Sequence, residues 1–259
     1  MRSSLRKIRG VIYQFFPKGA RERVLSHEAA FASRWVASAH RRLHAVQWGL
    51  PPQPEYFDHD IDLFYQWRTT RNALWVERGV FGSFVLQGGD VLELACGDGF
   101  NARNFYSLRS RRVMACDFDP TAIALAKRKN AAPNIEYVLA DIRTAMPAGQ
   151  FDNVTWDGAI EHFTPDEMAQ ILQQIVARLT PRGILSGYTI VERSSGEKSL
   201  SHHEYEFQSK EDLARFLAPH FSHVTVFETI YPERHNLYFW ASNASLPFRP
   251  EWGSTLSLG

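Results

Sequence analysis

VLELACGDGF, residues 91–100, passes from an apolar run through one acid, Glu93, into small residues and the pair Gly97 and Gly99. An apolar run of this length bounded by glycines reads as a buried strand that turns sharply at its carboxyl end. Without a Cβ, each glycine lets backbone amides come against a ligand. The stretch is the first half of a strand–turn–helix unit, and the question is what the turn faces.

Downstream the same alternation repeats. Strands are predicted over 91–95, 113–117, 135–140, 151–160, 183–191, 224–229 and 238–241, most of them apolar on both faces. Strands of that kind are buried between two helical layers, which is the pattern of a doubly wound parallel sheet. Helices are predicted over 120–130 and 164–179. In the second, Thr164 is the N-cap, Pro165 the first helical residue and Glu167 the closing member of a capping box. Ser209 and Asp212 open a further helix. The last two strands, joined through Pro232, read as an antiparallel hairpin.

Upstream the reading is helical. Residues 28–44 are Ala-rich with apolar residues at helical spacing, and the prolines at 51, 52 and 54 break the pattern. Residues 64–78 are predicted as one helix dense in aromatic and Arg side chains, in which Tyr65, Trp67 and Arg71 either close a ligand pocket or pack between layers. The predicted organisation is a helical extension or lid over 1–84, an α/β domain over 85–245 and a tail over 246–259.

Composition sets the class. A chain of 259 residues with 44% hydrophobic content and a net charge of +1 is an ordinary globular protein, and its overall charge gives no reason to expect nucleic acid. Within the first fifty residues, however, only Glu22 and Glu28 oppose the basic side chains. Residues 1–16 wound as a helix gather Leu5, Ile8, Val11, Ile12, Phe15 and Phe16 on one side with Arg2, Arg6, Lys7 and Arg9 around them. Such a helix suits docking on a protein core and also suits an anionic membrane surface. The segment lacks a cleavage site, so the expected location is cytoplasmic, with peripheral contact at the inner membrane surface as the second option. Cys96 and Cys116 lie in strand-like runs and are expected to be reduced, buried thiols.

In open parallel sheets ligands bind where strands end at their carboxyl side. Acids recur there: Glu93 after the first strand, Asp117 after the second, Asp141 after the third and Asp157 after the fourth. Asp117 lies eighteen positions beyond Gly99, where an acid reaches the ribose hydroxyls of a nucleoside. A nicotinamide dinucleotide would use the same acid and glycines. Glu93 favours a different ligand, because a pyrophosphate avoids a carboxylate whereas an ammonium group is held by one. Asp141 and Ile142 offer an acceptor to an exocyclic amine and a backbone amide to a ring nitrogen.

Over residues 88–241 the sequence resembles the class I S-adenosylmethionine-dependent methyltransferases. The motifs that carry the resemblance are Glu93-Leu94-Ala95-Cys96-Gly97-Asp98-Gly99, Asp117 within ACDFDP, Asp141 within LADI, and FDNVTWDGAIEHF at 151–163, which is similar to the small-molecule branch containing quinone- and sugar-modifying enzymes. Ala95 stands where the family usually has glycine, and an extended backbone there would accept it. The resemblance implies a seven-stranded Rossmann-like sheet and S-adenosyl-L-methionine as cofactor. It implies Gly97 and Gly99 at the methionine part, Glu93 with the backbone of Asp157 and Gly158 at its amino group, and Asp117 at ribose. Asp141 and Ile142 would frame adenine, with Phe118 at its rim. On the acceptor side His162 is a candidate base or a structural histidine, and His202 and His203 in SLSHHEYEF are further candidates. Adjacent histidines lack the spacing that converges ligands from a regular element, so no metal is expected. The acceptor is expected to be a small molecule or a lipid-linked glycan, methylated at O or N, with no specific nucleic acid. A nicotinamide-dependent reductase and a noncatalytic cofactor-binding module remain open alternatives.

Overall fold

The computed structural model describes residues 17–49, 56, 58–192, 196, 198–232, 234–248 and 255–257. The chain divides into two compact units, residues 1–52 and 53–259. In the first, α1 (Lys18–Trp48) is a single 31-residue helix with no buried residue. It contains the predicted helix 28–44 and extends it at both ends. Residues 1–16, on which the membrane expectation rested, lie outside the described residues. Among the described residues no helix is long and apolar enough to cross a membrane.

The second unit begins well before residue 85. Its first elements are α2 (His59–Thr70) and α3 (Leu74–Phe84), so these helices belong to the main body instead of the N-terminal extension. The single helix predicted over 64–78 is broken in its middle. Arg71 takes a left-handed conformation with φ of 56°, and the Asn72 side chain accepts a hydrogen bond from the Leu74 amide at 2.9 Å to start α3. An apolar period carries no mark of a left-handed residue unless glycine or asparagine occupies it, and here Arg does.

Next come β1 (Asp90–Leu94), α4 (Phe100–Asn104), β2 (Arg112–Asp117), α5 (Pro120–Lys129), β3 (Ile135–Leu139), β4 (Phe151–Asp157) and α6 (Pro165–Arg178). The chain continues through β5 (Leu179–Ile190), α7 (Lys210–Leu217), β6 (His223–Tyr231), β7 (Arg234–Ser242) and β8 (Thr255–Ser257). The sheet order is β3-β2-β1-β4-β5-β7-β6-β8. Strands β1 to β5 are parallel, and β7 runs antiparallel to both β5 and β6, as the hairpin reading required. Seven strands were expected, and a short eighth from the tail adds parallel to the β6 edge. Strand β4 stops at Asp157, short of the predicted residue 160, because Gly158 turns to φ of 63° and a 3-10 turn follows at Ile160–His162.

Successive residues of β1 feed opposite layers. Leu92 and Leu94 join the cluster containing Met168, Ile171, Leu172 and Ile175 of α6, whereas Val91 joins Ala102, Tyr106 and Ala126. The capping box of α6 forms as predicted, with Thr164 and Glu167 each accepting from the other's backbone amide. Covered on both faces, the sheet leaves the parallel strands' carboxyl ends as the open rim.

Candidate functional site

At that rim the β1 turn runs Ala95, Gly97 and Gly99 through positive φ of 52°, 54° and 75°, alternating with ordinary residues. The extended backbone expected at Ala95 is not formed: the residue sits in the left-handed region that an L side chain enters at a cost of about 1–2 kcal/mol. A Cβ on Gly99 would stand 2.4 Å from the Tyr137 hydroxyl oxygen, so glycine is required by packing as well as by φ. A Cβ on Gly97 would meet nothing closer than 3.7 Å, which leaves that backbone open to a ligand.

The turn borders a cavity of about 240 Å³. Eleven of the residues singled out in the sequence line it: Glu93, Ala95, Gly97, Asp117, Phe118, Asp141, Ile142, Asp157, Gly158, His162 and His202. Gly99 supports the turn from behind, and His203 is buried behind His202. Arg71 does not line the cavity. It is exposed, near the Trp67 ring and carbonyl, and Trp67 is itself exposed. Tyr65 lies in α2, but its side chain is outside the described residues.

A guanidinium that does reach the cavity, besides that of Arg143, is Arg78, on the buried face of α3. It lies between the rings of Trp75 and Tyr188 at 5.1 and 5.2 Å and donates to the Asp157 carbonyl at 2.6 Å. Its signal in the sequence was an arginine within the apolar stripe of Leu74, Trp75 and Gly82. Gly158 is small for the same reason, since a Cβ there would stand 3.2 Å from that guanidinium. Tyr56, His59 and Asn101 also line the wall. His59 bonds Asp98 through both its amide and Nδ1, at 3.0 and 2.8 Å, and stacks on Phe100. Nothing local in the sequence announces a pair 39 residues apart.

Charge in the cavity is uneven. Glu93 is 2% exposed, and its Oε2 has no hydrogen-bond partner among the described residues. Burial, then the neighbouring Asp157, pushes its carboxyl well above the usual carboxylate range. Asp157 is raised as well, by burial, although Arg78 and a hydrogen bond from the Tyr106 hydroxyl oppose the shift. Asp117 accepts from the Gly97 and Asp119 amides, each at 2.9 Å, so one carboxylate both braces the turn and faces the cavity. Asp141 is held low by Arg143, which grips it at 2.7 to 3.1 Å. Cys96 and Cys116 are free and buried, and burial raises both thiols, that of Cys116 to about 12.

At the far end of the cavity, the 3-10 turn after β4 meets the loop after β5. Glu204 and Tyr205 both donate their amides to the Glu161 carbonyl, at 2.8 and 3.1 Å. That clamp stacks the His162 ring on His202 at 4.8 Å and sets His203 edge-on to His162, also at 4.8 Å. Burial brings His203 down to about 4, so its ring is neutral and donates from Nδ1 to Glu206. His162, set apart from the adjacent pair His202 and His203 in the sequence, thus joins them in one cluster.

The donor set fits S-adenosylmethionine. A buried acid with an unpartnered oxygen can accept from an ammonium group, a turn without side chains can lie against the amino-acid part, and Asp117 can reach ribose hydroxyls. A diphosphate would instead have to approach Glu93.

Residues 91–183 match the family profile described as a methyltransferase domain. The ribosomal protein L11 methyltransferase of Geobacter metallireducens is 31% identical over 109 residues, which is 41% of this chain and 34% of that protein. The chain thus spans about a third of that relative's length. Among solved structures, an N-methyltransferase NodS from Bradyrhizobium japonicum with S-adenosyl-L-homocysteine is 18% identical, with TM-score 0.51, covering 68% of this chain and 91% of that one. DhpI in complex with SAM and HEP is 23% identical, with TM-score 0.51, covering 62% and 83%. At these identities the likeness establishes the fold.

Proposed function

We propose, on the premise that residues 91–183 are a class I S-adenosylmethionine-dependent methyltransferase domain, that the protein transfers a methyl group from S-adenosylmethionine to a small acceptor. The observation that carries the reading is Glu93, buried at the strand end with an unpartnered oxygen in a cavity that Asp157 makes more acidic. A ligand bearing an ammonium group removes that cost, and a nicotinamide dinucleotide adds to it.

In this reading Glu93 holds the amino group, with Arg78 beside it for the carboxylate of the same amino-acid tail. Gly97 lies along the tail, Asp117 accepts from the ribose hydroxyls, and Asp141 and Ile142 flank adenine with Phe118 at the rim. The bound cofactor supplies a methyl group already activated on a sulfonium. The chain then has to align an acceptor behind the S–CH3 bond and exclude water, and alignment of this kind lowers a barrier by roughly 7–11 kcal/mol. The acceptor side is walled by His162, Phe163, Leu200 and His202. An oxygen or nitrogen nucleophile fits this mixed aromatic and imidazole wall, and a sugar or lipid-linked glycan is our preferred acceptor. Residues 1–16 would rest on an anionic membrane, bringing the protein to such a substrate. Deleting them should abolish binding to anionic liposomes and leave cofactor affinity intact; absence of liposome binding by the full chain would remove the membrane part.

Calorimetry with S-adenosylhomocysteine and with NADH tests the core of the reading. Binding of the first and not the second is expected. Asp117→Ala should weaken that binding about 100-fold, the worth of one or two hydrogen bonds to a charged group. Binding of NADH alone, or an unchanged affinity in Asp117→Ala, would overturn the assignment.

A further inference from the structure

We propose that His162, His202 and His203 are the ligands of a divalent transition-metal site at the acceptor end of the cavity, with Zn2+ the ion it fits best. The ligand nitrogens of the three side chains lie within 4.8 Å of one another. Three atoms so spaced share a centre no more than about 2.8 Å from each, and Zn–N bonds need roughly 2.0–2.1 Å, so small side-chain shifts complete the set. The rings of His162 and His202, parallel to within 10°, must turn relative to each other for their lone pairs to meet, and both are only half-buried at the cavity wall.

Two features mark the cluster as a built site. Its histidines come from separate segments that backbone bonds hold together, through Glu204 and Tyr205 on the Glu161 carbonyl and Glu192 on the Phe207 carbonyl at 2.8 Å. Behind it, the buried Glu206 carboxylate accepts a hydrogen bond from Nδ1 of His203 and is itself fixed by the Ser199 amide at 2.7 Å. A carboxylate on the far nitrogen sets the tautomer and leaves Nε2 as the ligand, as metal-binding histidines generally require. Imidazole donors favour zinc and its transition-metal neighbours over magnesium or calcium, which take oxygen ligands.

Three neutral protein ligands leave the ion its full charge and an open position. That position faces the cavity, since His162 and His202 line it while His203 stands behind. It takes an oxygen of the acceptor, a role that rests on the methyltransferase reading, whereas the ion site itself does not. The bound acceptor hydroxyl releases its proton to solvent. Its oxygen then forms the O–CH3 bond as the S–CH3 bond breaks, and sulfur keeps that bonding pair and loses its positive charge.

The full chain, stripped with a chelator and desalted, is titrated with Zn2+ by calorimetry, and in parallel with S-adenosylhomocysteine. One ion per chain is expected. His202→Ala and His203→Ala should each weaken Zn2+ binding more than about 100-fold, Glu206→Gln about 10–100-fold, and His235→Ala, whose imidazole pairs with Glu228, not at all. Melting curves without metal identify any variant that fails to fold, and His202→Ala, at the wall, keeps the test decisive if the buried His203→Ala does not. No Zn2+ uptake, or uptake unchanged in His202→Ala, overturns the site. If S-adenosylhomocysteine binds and Zn2+ does not, this proposal alone falls; if Zn2+ binds and S-adenosylhomocysteine does not, the site stands and its acceptor role falls with the methyltransferase reading.

Discussion

Buried with an unpartnered oxygen, Glu93 burdens the free protein. A carboxyl whose folded pKa is raised above its unfolded value of about 4.3 contributes nothing below that value, where both states are protonated. As pH rises through the window up to the raised folded pKa, the unfolded state ionises first and stability falls. Glu93→Gln should therefore melt higher than wild type at pH 7 without cofactor, with the gap closing toward pH 4, and should lose S-adenosylhomocysteine affinity. A melting series with and without ligand checks both signs. Ala95 carries a different burden, its φ of 52°. Ala95→Gly removes about 1–2 kcal/mol of left-handed strain and adds about 0.5–1 kcal/mol of unfolded-state entropy. A net gain of roughly 0.5–1 kcal/mol, read as a melting temperature about 2 °C higher, is expected. The identity of Glu93, Asp117, Asp141 and Asp157 as cavity residues was legible from their places at strand ends. The left-handed state of Ala95 was not, because in a sequence only glycine, asparagine or aspartate ordinarily marks one.

At the scale of elements, the capping box of α6 and the antiparallel β6–β7 hairpin were legible because both rest on contacts between near neighbours in the chain. The break between α2 and α3 was missed for want of such a mark, and it matters because it places Arg78 over Gly158. Asn72 starts α3 by accepting from the Leu74 amide at 2.9 Å. Asn72→Ala should cost about 1 kcal/mol, as loss of one buried hydrogen bond does, and should weaken S-adenosylhomocysteine binding through a loosened Arg78. Denaturant unfolding and calorimetry on the same preparation test the pair of effects, and lost stability with intact affinity would show that its aromatic neighbours and the Asp157 carbonyl hold Arg78 without help from the start of α3.

For the whole molecule, the division at residue 52 predicts that residues 53–259 fold alone. All described lining residues of the cavity belong to that unit. A truncated chain 53–259 should unfold cooperatively and bind S-adenosylhomocysteine within about threefold of the full protein, since none of the described lining residues is lost. α1, with Phe31 65% and Trp35 64% exposed, adds no buried core whose loss would be felt. What the sequence by itself determined was the doubly wound sheet, its order of strand and helix, and the row of acids along one rim, because apolar periodicity and strand-end position are properties of a residue and its neighbours. Only the tertiary structure decided that His59 meets Asp98, that Arg78 and not Arg71 enters the cavity, and that His162 joins His202 and His203. Those contacts bring together segments far apart in the chain, and the closing of such distances is set by packing of the whole sheet and its layers, which no local pattern encodes.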